Sequence, residues 1–222
     1  VVPKAGLDLK DRPARAQKRG NTMANKQPKE PLQPNGERYT YTSLCLAQND
    51  MLEEVMRLGA QPDIGKLVGW EFRGYNTLDL TSLAGIRKFK KGFYQEDPAK
   101  DPAEGCSGYN VQVIQTPLGD DWFDKIKNGQ SIKHGWYKCY PVRLDEVDCK
   151  YPNAVLINYA HGKNPPFDPS SKLRDYLVQV YADNKDLYLG KAYGALLGPI
   201  RLFFSYFVLE RSNPSALQSP GG

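Results

Sequence analysis

Gly65-Lys-Leu-Val-Gly-Trp-Glu-Phe-Arg-Gly-Tyr75 and Leu197-Gly-Pro-Ile-Arg-Leu-Phe-Phe-Ser-Tyr-Phe-Val-Leu-Glu-Arg211 both read as strands, and they bracket the part of the chain able to fold. In the first, Trp70, Phe72 and Gly74 share one face, while Glu71, Arg73 and Tyr75 share the other. Gly69 and Gly74 suit a strand that bends, as a small barrel requires. If the first and last strands pair, the sheet has no free edge, and small closed barrels commonly hold one small ligand. The expected fold is therefore mainly β, an antiparallel β-barrel with an N-terminal helix. The alternative is an α+β cone-shaped barrel in which Met51–Leu58 plugs a curved sheet.

The helix is expected near residues 49–59. Asp50-x-x-Glu53 reads as a capping box, Leu52, Val55 and Met56 form one apolar face, and Gly59 and Pro62 end it. Leu78–Ile86 reads as a short helix or turn. Strands follow at Arg87–Tyr94, Tyr109–Gln115, Ser131–Val142, Ala154–Tyr159, Leu173–Ala182 and Leu187–Leu197, the last two flanking the turn Asp183-Asn-Lys-Asp186. Asp120–Asn128 reads as a short helix carrying Trp122, Phe123 and Ile126, ended by Gly129. Turns at roughly regular spacing favour a barrel or sandwich over an α/β sheet.

Charge divides the chain of 222 residues unevenly. Residues 1–38 hold nine Lys/Arg against four Asp/Glu, so this segment carries the net +5 of the whole and the remainder is neutral. A neutral body offers no phosphate-tracking surface in its net charge, so nucleic acid is not expected as its partner. The leader has five prolines and no aromatic residue. It reads as a disordered, solubilising arm, alternatively as a weak contact to an anionic surface. The domain reading is a disordered basic leader over 1–38, one barrel over 39–211 and a disordered tail over 212–222. No apolar signal-peptide core is visible in the leader, although the chain starts at Val1 and Met23 could be an internal start. The run Ile200–Leu209 is broken by Arg201 and Ser205 and is too short for a transmembrane helix. The expected location is cytoplasmic, or peripheral or secreted if a signal has been removed.

The four cysteines, Cys45, Cys106, Cys139 and Cys149, match no zinc spacing. Reduced thiols are the preferred reading. Cys139 and Cys149 flank an expected hairpin and are the first pair to test for a disulfide. The only histidines are His134 and His161; a histidine-based metal site would need both, plus carboxylates brought together by the fold, and they read instead as ordinary strand-end and loop residues. Asp120-Asp121 and Asp145-Glu146 are adjacent pairs that would face apart on a strand, so they suit turns better than acid–base work. No nucleophile elbow, P-loop, dinucleotide-binding glycine set or HExxH motif is present. No metal, cofactor or catalytic residue is expected. The basic positions Arg73, Lys88 and Lys90, with Tyr75, read as an outward, solvated face or as mouth residues.

The N-terminal helix, the strand with Gly69-Trp70 and an arginine near the last strand together resemble the calycin or lipocalin superfamily. That resemblance implies a lipocalin-like barrel in which a tryptophan of the first strand sits at the closed end under an arginine. Trp70 fits the first role, and Arg201 or Arg211 the second, as structural residues. The usual Gly-x-Trp is Gly-Trp here. The order Gly69-Trp-Glu-Phe-Arg-Gly74, Phe89–Phe93, then Leu173-Arg-Asp-Tyr176 and Leu187-Tyr-Leu-Gly190 also looks like uncharacterised bacterial GXWXG-type domains, likewise thought to be lipocalin-like. The family implies non-catalytic binding, carriage or sensing of a hydrophobic small molecule. The expected lining is Trp70, Phe72, Tyr109, Val111, Trp136 and Phe204, with His134, Tyr137 and His161 as a polar mouth. The alternatives are a filled-core structural or interaction module, or a small-molecule enzyme using a barrel-mouth His or Tyr.

Overall fold

A computed structural model describes Val1, residues 29–77, 86–195 and 200–215, and Leu217. The readings of residues 2–28, of nearly all of Leu78–Ile86 and of the last five residues lie outside this range. Eight strands close into an antiparallel barrel: β1 (Trp70–Asn76), β2 (Lys88–Tyr94), β3 (Cys106–Gln112), β6 (Lys133–Pro141), β7 (Val155–Asn158), β8 (Leu173–Tyr181), β9 (Asn184–Ala195) and β10 (Arg201–Pro214). Each pairs with its sequence neighbour, and β10 returns to β1, with Phe72 opposite Arg211 and Gly74 opposite Leu209. The two minor strands β4 (Ile126–Lys127) and β5 (Gln130–Ser131) form a separate hairpin in the β3–β6 connection.

That hairpin corrects the short helix expected at Asp120–Asn128. Asn128 and Gly129 both take positive φ, 52° and 75°, which is the backbone a two-residue Asn-Gly hairpin turn needs. Local turn chemistry outweighs the three spaced apolar residues. Trp122 packs back onto the barrel, its Nε1–H donating to the Gly74 carbonyl at 3.1 Å.

Alternation along the strands builds two cores on the two sides of one wall. Phe72, Phe89, Phe93, Tyr137, Ile157, Leu177, Tyr188, Phe207 and Leu209 point inward. Tyr176, Val178, Leu189, Tyr206 and Val208 point outward and meet two helices, α1 (Tyr41–Cys45) and α2 (Asn49–Leu58). Several of the rings inside so narrow a tube have glycine as a cross-strand partner. Tyr137 faces Gly108 and Phe207 faces Gly190; a Cβ at these glycines would come within 2.1 Å and 2.0 Å of the opposing ring. Each ring thus lies over bare backbone, which lets large aromatics share the interior.

α2 buries Leu52, Val55 and Met56 completely against the outer wall, and full burial of each stabilises by about 1.5–3 kcal/mol. It is therefore a bracket outside the barrel, which corrects the plug of the cone-shaped alternative. The closed end is filled instead by α3 (Ile64–Leu67), whose Ile64 and Leu67 join the inner core. α3 occupies the start of the strand expected from Lys66. Asp50 and Glu53 do not form a capping box: the N-cap is Gln48, without a side-chain bond, and Glu53 turns toward the barrel wall. The true capping box lies one helix earlier, where Thr40 and Ser43 exchange bonds at 3.2 and 2.9 Å.

The ordered body extends past both expected limits. Pro31 is buried, its carbonyl accepting from the Tyr181 hydroxyl at 3.1 Å, and β10 continues to Pro214. Ser215 is then held by its N–H on the Gly69 carbonyl at 2.8 Å. No helix among the described residues is long and apolar enough to cross a membrane.

Candidate functional site

The barrel interior is solid at the α3 end and hollow at the other. Below Lys91 on β2 comes Phe93, and below Asp175 on β8 comes Leu177; both are fully buried in the inner core with Tyr137 and Tyr188. Above them lies a cavity of about 530 Å³. Its apolar wall includes Phe89, Leu173, Ala192, Phe204 and Phe207, and Ile86, Gln115 and Lys125 border it toward the end where β2 begins.

The floor is polar and centred on Lys91. Its Nζ donates to Asn110 Oδ1 at 3.0 Å, to Asp175 Oδ2 at 3.3 Å and to the Tyr159 hydroxyl. The Tyr159 hydroxyl in turn donates to Asp175 Oδ2 at 3.1 Å. Asn110 Nδ2 donates to the Gly135 carbonyl at 3.2 Å and to Tyr159 at 3.3 Å. Rings of Tyr137, Tyr159, Phe207 and Phe89 surround the ammonium at 4.9–5.7 Å, so their negative faces add to its stabilisation. Lys91 and Asp175 are both nearly inaccessible, with side chains 2% and 4% exposed.

Burial drives each member of this pair toward its neutral form, lowering Lys91 and raising Asp175, while their mutual attraction opposes both shifts. Lys91 Nζ and Asp175 Oδ2 lie 3.3 Å apart, within ion-pair distance. A bulge makes room for this geometry. Between Gly108 and Asn110 the β3–β6 register slips, and Gly135 takes φ +53°, turning its carbonyl onto Asn110. A Cβ at Gly135 would sit 2.7 Å from Asn110 Nδ2. His134, beside this bulge, borders the cavity; burial and the nearby Lys91 charge lower its pKa, leaving it neutral at pH 7.

The residues expected to line a cavity are dispersed. Val111 and Phe204 border it. Phe72 points inward but belongs to the solid half, edge-on to Phe93 and Tyr188. Trp70 lies at the closed end, with the Arg211 guanidinium 4.6 Å from its ring centroid. Tyr109 and Trp136 pack against each other outside the wall, their rings tilted with centroids 5.6 Å apart, because β3 turns its Asn110 and Gln112 face inward. The Tyr109 hydroxyl donates to Glu71 at 2.8 Å there. Trp70, Phe72, Tyr109 and Trp136 are therefore not cavity walls: two lie too deep and two lie outside.

The expected polar mouth also separates. Tyr137 is buried below the floor and donates to the Gly92 carbonyl at 3.1 Å. His161 is exposed and stacked on Tyr140, beside a second, more polar hollow of about 400 Å³ that contains Glu96, Lys138 and Arg143. Lys138 bonds Glu96 at 2.5 Å, and this bond with that of Lys163 holds the Glu96 carboxyl down at about 2 against the opposing effect of burial. Arg201 is far from Trp70 and bonds Asp148 at 2.7 Å.

Lys88 and Lys90 do point outward, yet they are not solvated. The β3–β6 connection covers them: Lys88 bonds the Asp120 carbonyl at 2.8 Å and Lys90 meets Asp124 at 2.7 Å. All four cysteines are free. Cys139 faces inward opposite Cys106, whereas Cys149 packs on the outer core, so the wall lies between the two thiols first considered for a disulfide. Among the described residues, no cluster of three or more His, Cys, Asp or Glu could hold a metal ion.

Lys91, Asn110, Tyr159 and Asp175 were not singled out from the sequence. The alternation Phe89–Lys91–Phe93 carried the signal, a cation on an otherwise apolar face. Leu173–Asp175–Leu177 repeats it with an anion. No family model matches this chain, and no curated protein matches it.

Proposed function

We propose that this protein binds a hydrophobic small molecule inside its barrel, for carriage or sensing, without chemically transforming it. The observation carrying this reading is the cavity of about 530 Å³, apolar on its walls and polar at one built floor. That volume lies within the range of about 300–1,000 Å³ typical of small-molecule sites, and the combination of apolar walls with a few fixed polar groups is their usual make-up. Desolvation of the ligand supplies affinity, and the floor sets its orientation. The separation of His134, Tyr137 and His161 supports binding over acid–base catalysis. Arg211 stacked on Trp70 at the closed end supports kinship with the calycin barrels.

Native mass spectrometry of the purified full chain, followed by denaturing extraction, tests the reading. A discrete added mass that recurs in the extract is expected. A bare protein whose melting temperature is unmoved by fatty alcohols, fatty acids, retinoids and haem would contradict it and favour an interaction module.

A further inference from the structure

The hollow end of the barrel carries exposed apolar side chains around its opening. There β2, β6, β8 and β10 begin and β1, β3, β7 and β9 end. Ile114, just past β3, donates its N–H to the Phe123 carbonyl at 2.8 Å, and two residues along from this pair the Lys125 N–H meets the Gln112 carbonyl at 2.8 Å. Gln112 and Lys125 both border the cavity, so by alternation Ile114 and Phe123 carry that same face past the rim. Leu202 on β10 lies opposite Gly194, as does the cavity-lining Leu173 from the other side. Ile86 borders the cavity just before β2 begins. Each of Ile86, Ile114, Phe123 and Leu202 is about half exposed, whereas Ile64 and Leu67 at the closed end are buried.

The same end is basic. Asp124 pairs with Lys90 outside the wall, and Lys91 with Asp175 inside it. Asp148 is shared between Arg174 and Arg201, while Asp120 and Asp121 together face Lys88, so these two sets offset each other. Asp168, which caps Ser170 at 2.8 Å, then stands alone against Arg87, Lys125, Lys127, Lys133 and Lys172. Those four lysines make no ion pair among the described residues. His134, beside the opening, is uncharged at neutral pH.

We propose that this open end docks on an anionic lipid bilayer, with Ile86, Ile114, Phe123 and Leu202 entering the head-group layer and the rim lysines meeting its phosphates. Exposed apolar groups bordered by charge mark an interaction surface. These four stand apart on separate strands around an opening, so they offer no continuous face for a protein partner. A bilayer receives such side chains singly, and its anionic lipids complement the surplus of lysine. The mouth of the cavity then opens onto lipid. The docking goes beyond the ligand-binding reading and does not depend on it.

Flotation of the full chain with vesicles tests this, using phosphatidylcholine alone or with about 30% phosphatidylglycerol at about 0.1 M salt. Binding to the anionic vesicles is expected, and at least about tenfold weaker binding in Phe123→Ser/Leu202→Ser. Lys125→Glu/Lys172→Glu, which alters only exposed side chains, should weaken it by a similar factor and decides alone if the first variant fails to fold. The basic leader is intact in both variants. Undiminished binding by them would therefore assign the contact to the leader and overturn the proposal. Absence of binding to anionic vesicles would overturn it as well, and self-association lost in the variants would then make this end a contact between copies of the chain.

Discussion

Replacing Lys91 with methionine is expected to destabilise the barrel by about 3–5 kcal/mol, read as a loss of denaturation midpoint. Methionine matches the aliphatic stem and fills the same space, so little of the loss comes from packing. The cost lies with what remains. Asp175 would be left as a buried carboxylate without its counter-charge, 3.3 Å from where the ammonium stood, and Asn110 Oδ1 would lose its donor. Isolated buried charges are far more costly than the pairs they come from. The double variant Lys91→Met/Asp175→Asn should therefore be more stable than Lys91→Met alone, and the size of that recovery measures the coupling. Additive losses would show that the two side chains do not act as a pair.

Glu53→Ala is the second large effect, expected at about 2 kcal/mol. Glu53 lies on α2, yet its carboxylate receives Lys191 Nζ at 2.5 Å, the Tyr206 hydroxyl at 2.6 Å and the Tyr151 hydroxyl at 2.9 Å, all from the barrel side. It is the polar pin through an otherwise apolar seam. The loss is set below that of Lys91 because the Glu53 side chain is 31% exposed and water screens part of the interaction. Burial pushes the Glu53 carboxyl up, but the bonds from Lys191, Tyr206 and Tyr151 outweigh it and hold the group below its ordinary 4.5. A carboxyl whose folded pKa is depressed stabilises fully above its unfolded pKa and loses that contribution as pH falls through the folded value. The gap in stability between the unaltered protein and Glu53→Ala should therefore be constant near neutral pH and narrow below about pH 4. A gap independent of pH down to the acid transition would assign the effect to helix propensity or packing instead.

Much of the architecture was legible because it is written in alternation. Trp70–Phe72–Gly74 and the aromatic run Phe203–Phe207 announced two wall strands. Leu52, Val55 and Met56 gave the buried helix face directly. The helix cap was misread because Asp50-x-x-Glu53 fits a local pattern, while Glu53 is engaged by Lys191, a residue 138 positions later in the chain. No local rule contains that partner. The cavity lining was misplaced for a related reason. Period-two alternation states which residues share a face, but it does not state which face is inside, and an aromatic-rich outer face such as Tyr109 with Trp136 is as apolar as an inner one. The ion pair on the floor was the better guide: Lys91 between Phe89 and Phe93 needs a buried counter-charge, and Asp175 between Leu173 and Leu177 is the residue that supplies it. The Asn128-Gly129 turn was likewise readable, and the spacing of Trp122, Phe123 and Ile126 obscured it.

The most direct test of a ligand-sized cavity within the barrel is an equilibrium titration with the neutral fluorophore N-phenylnaphthylamine, run on the unaltered protein and on Ala192→Phe. Ala192 borders the cavity between Asp175 on β8 and Ser205 on β10, so a phenyl ring there occupies the space above the floor. Saturable one-site binding with a blue-shifted emission is expected in the unaltered protein, weakened at least about tenfold in Ala192→Phe while the far-ultraviolet spectrum of the barrel is retained. Equal binding by both proteins, or saturable binding by neither, would contradict an internal ligand site.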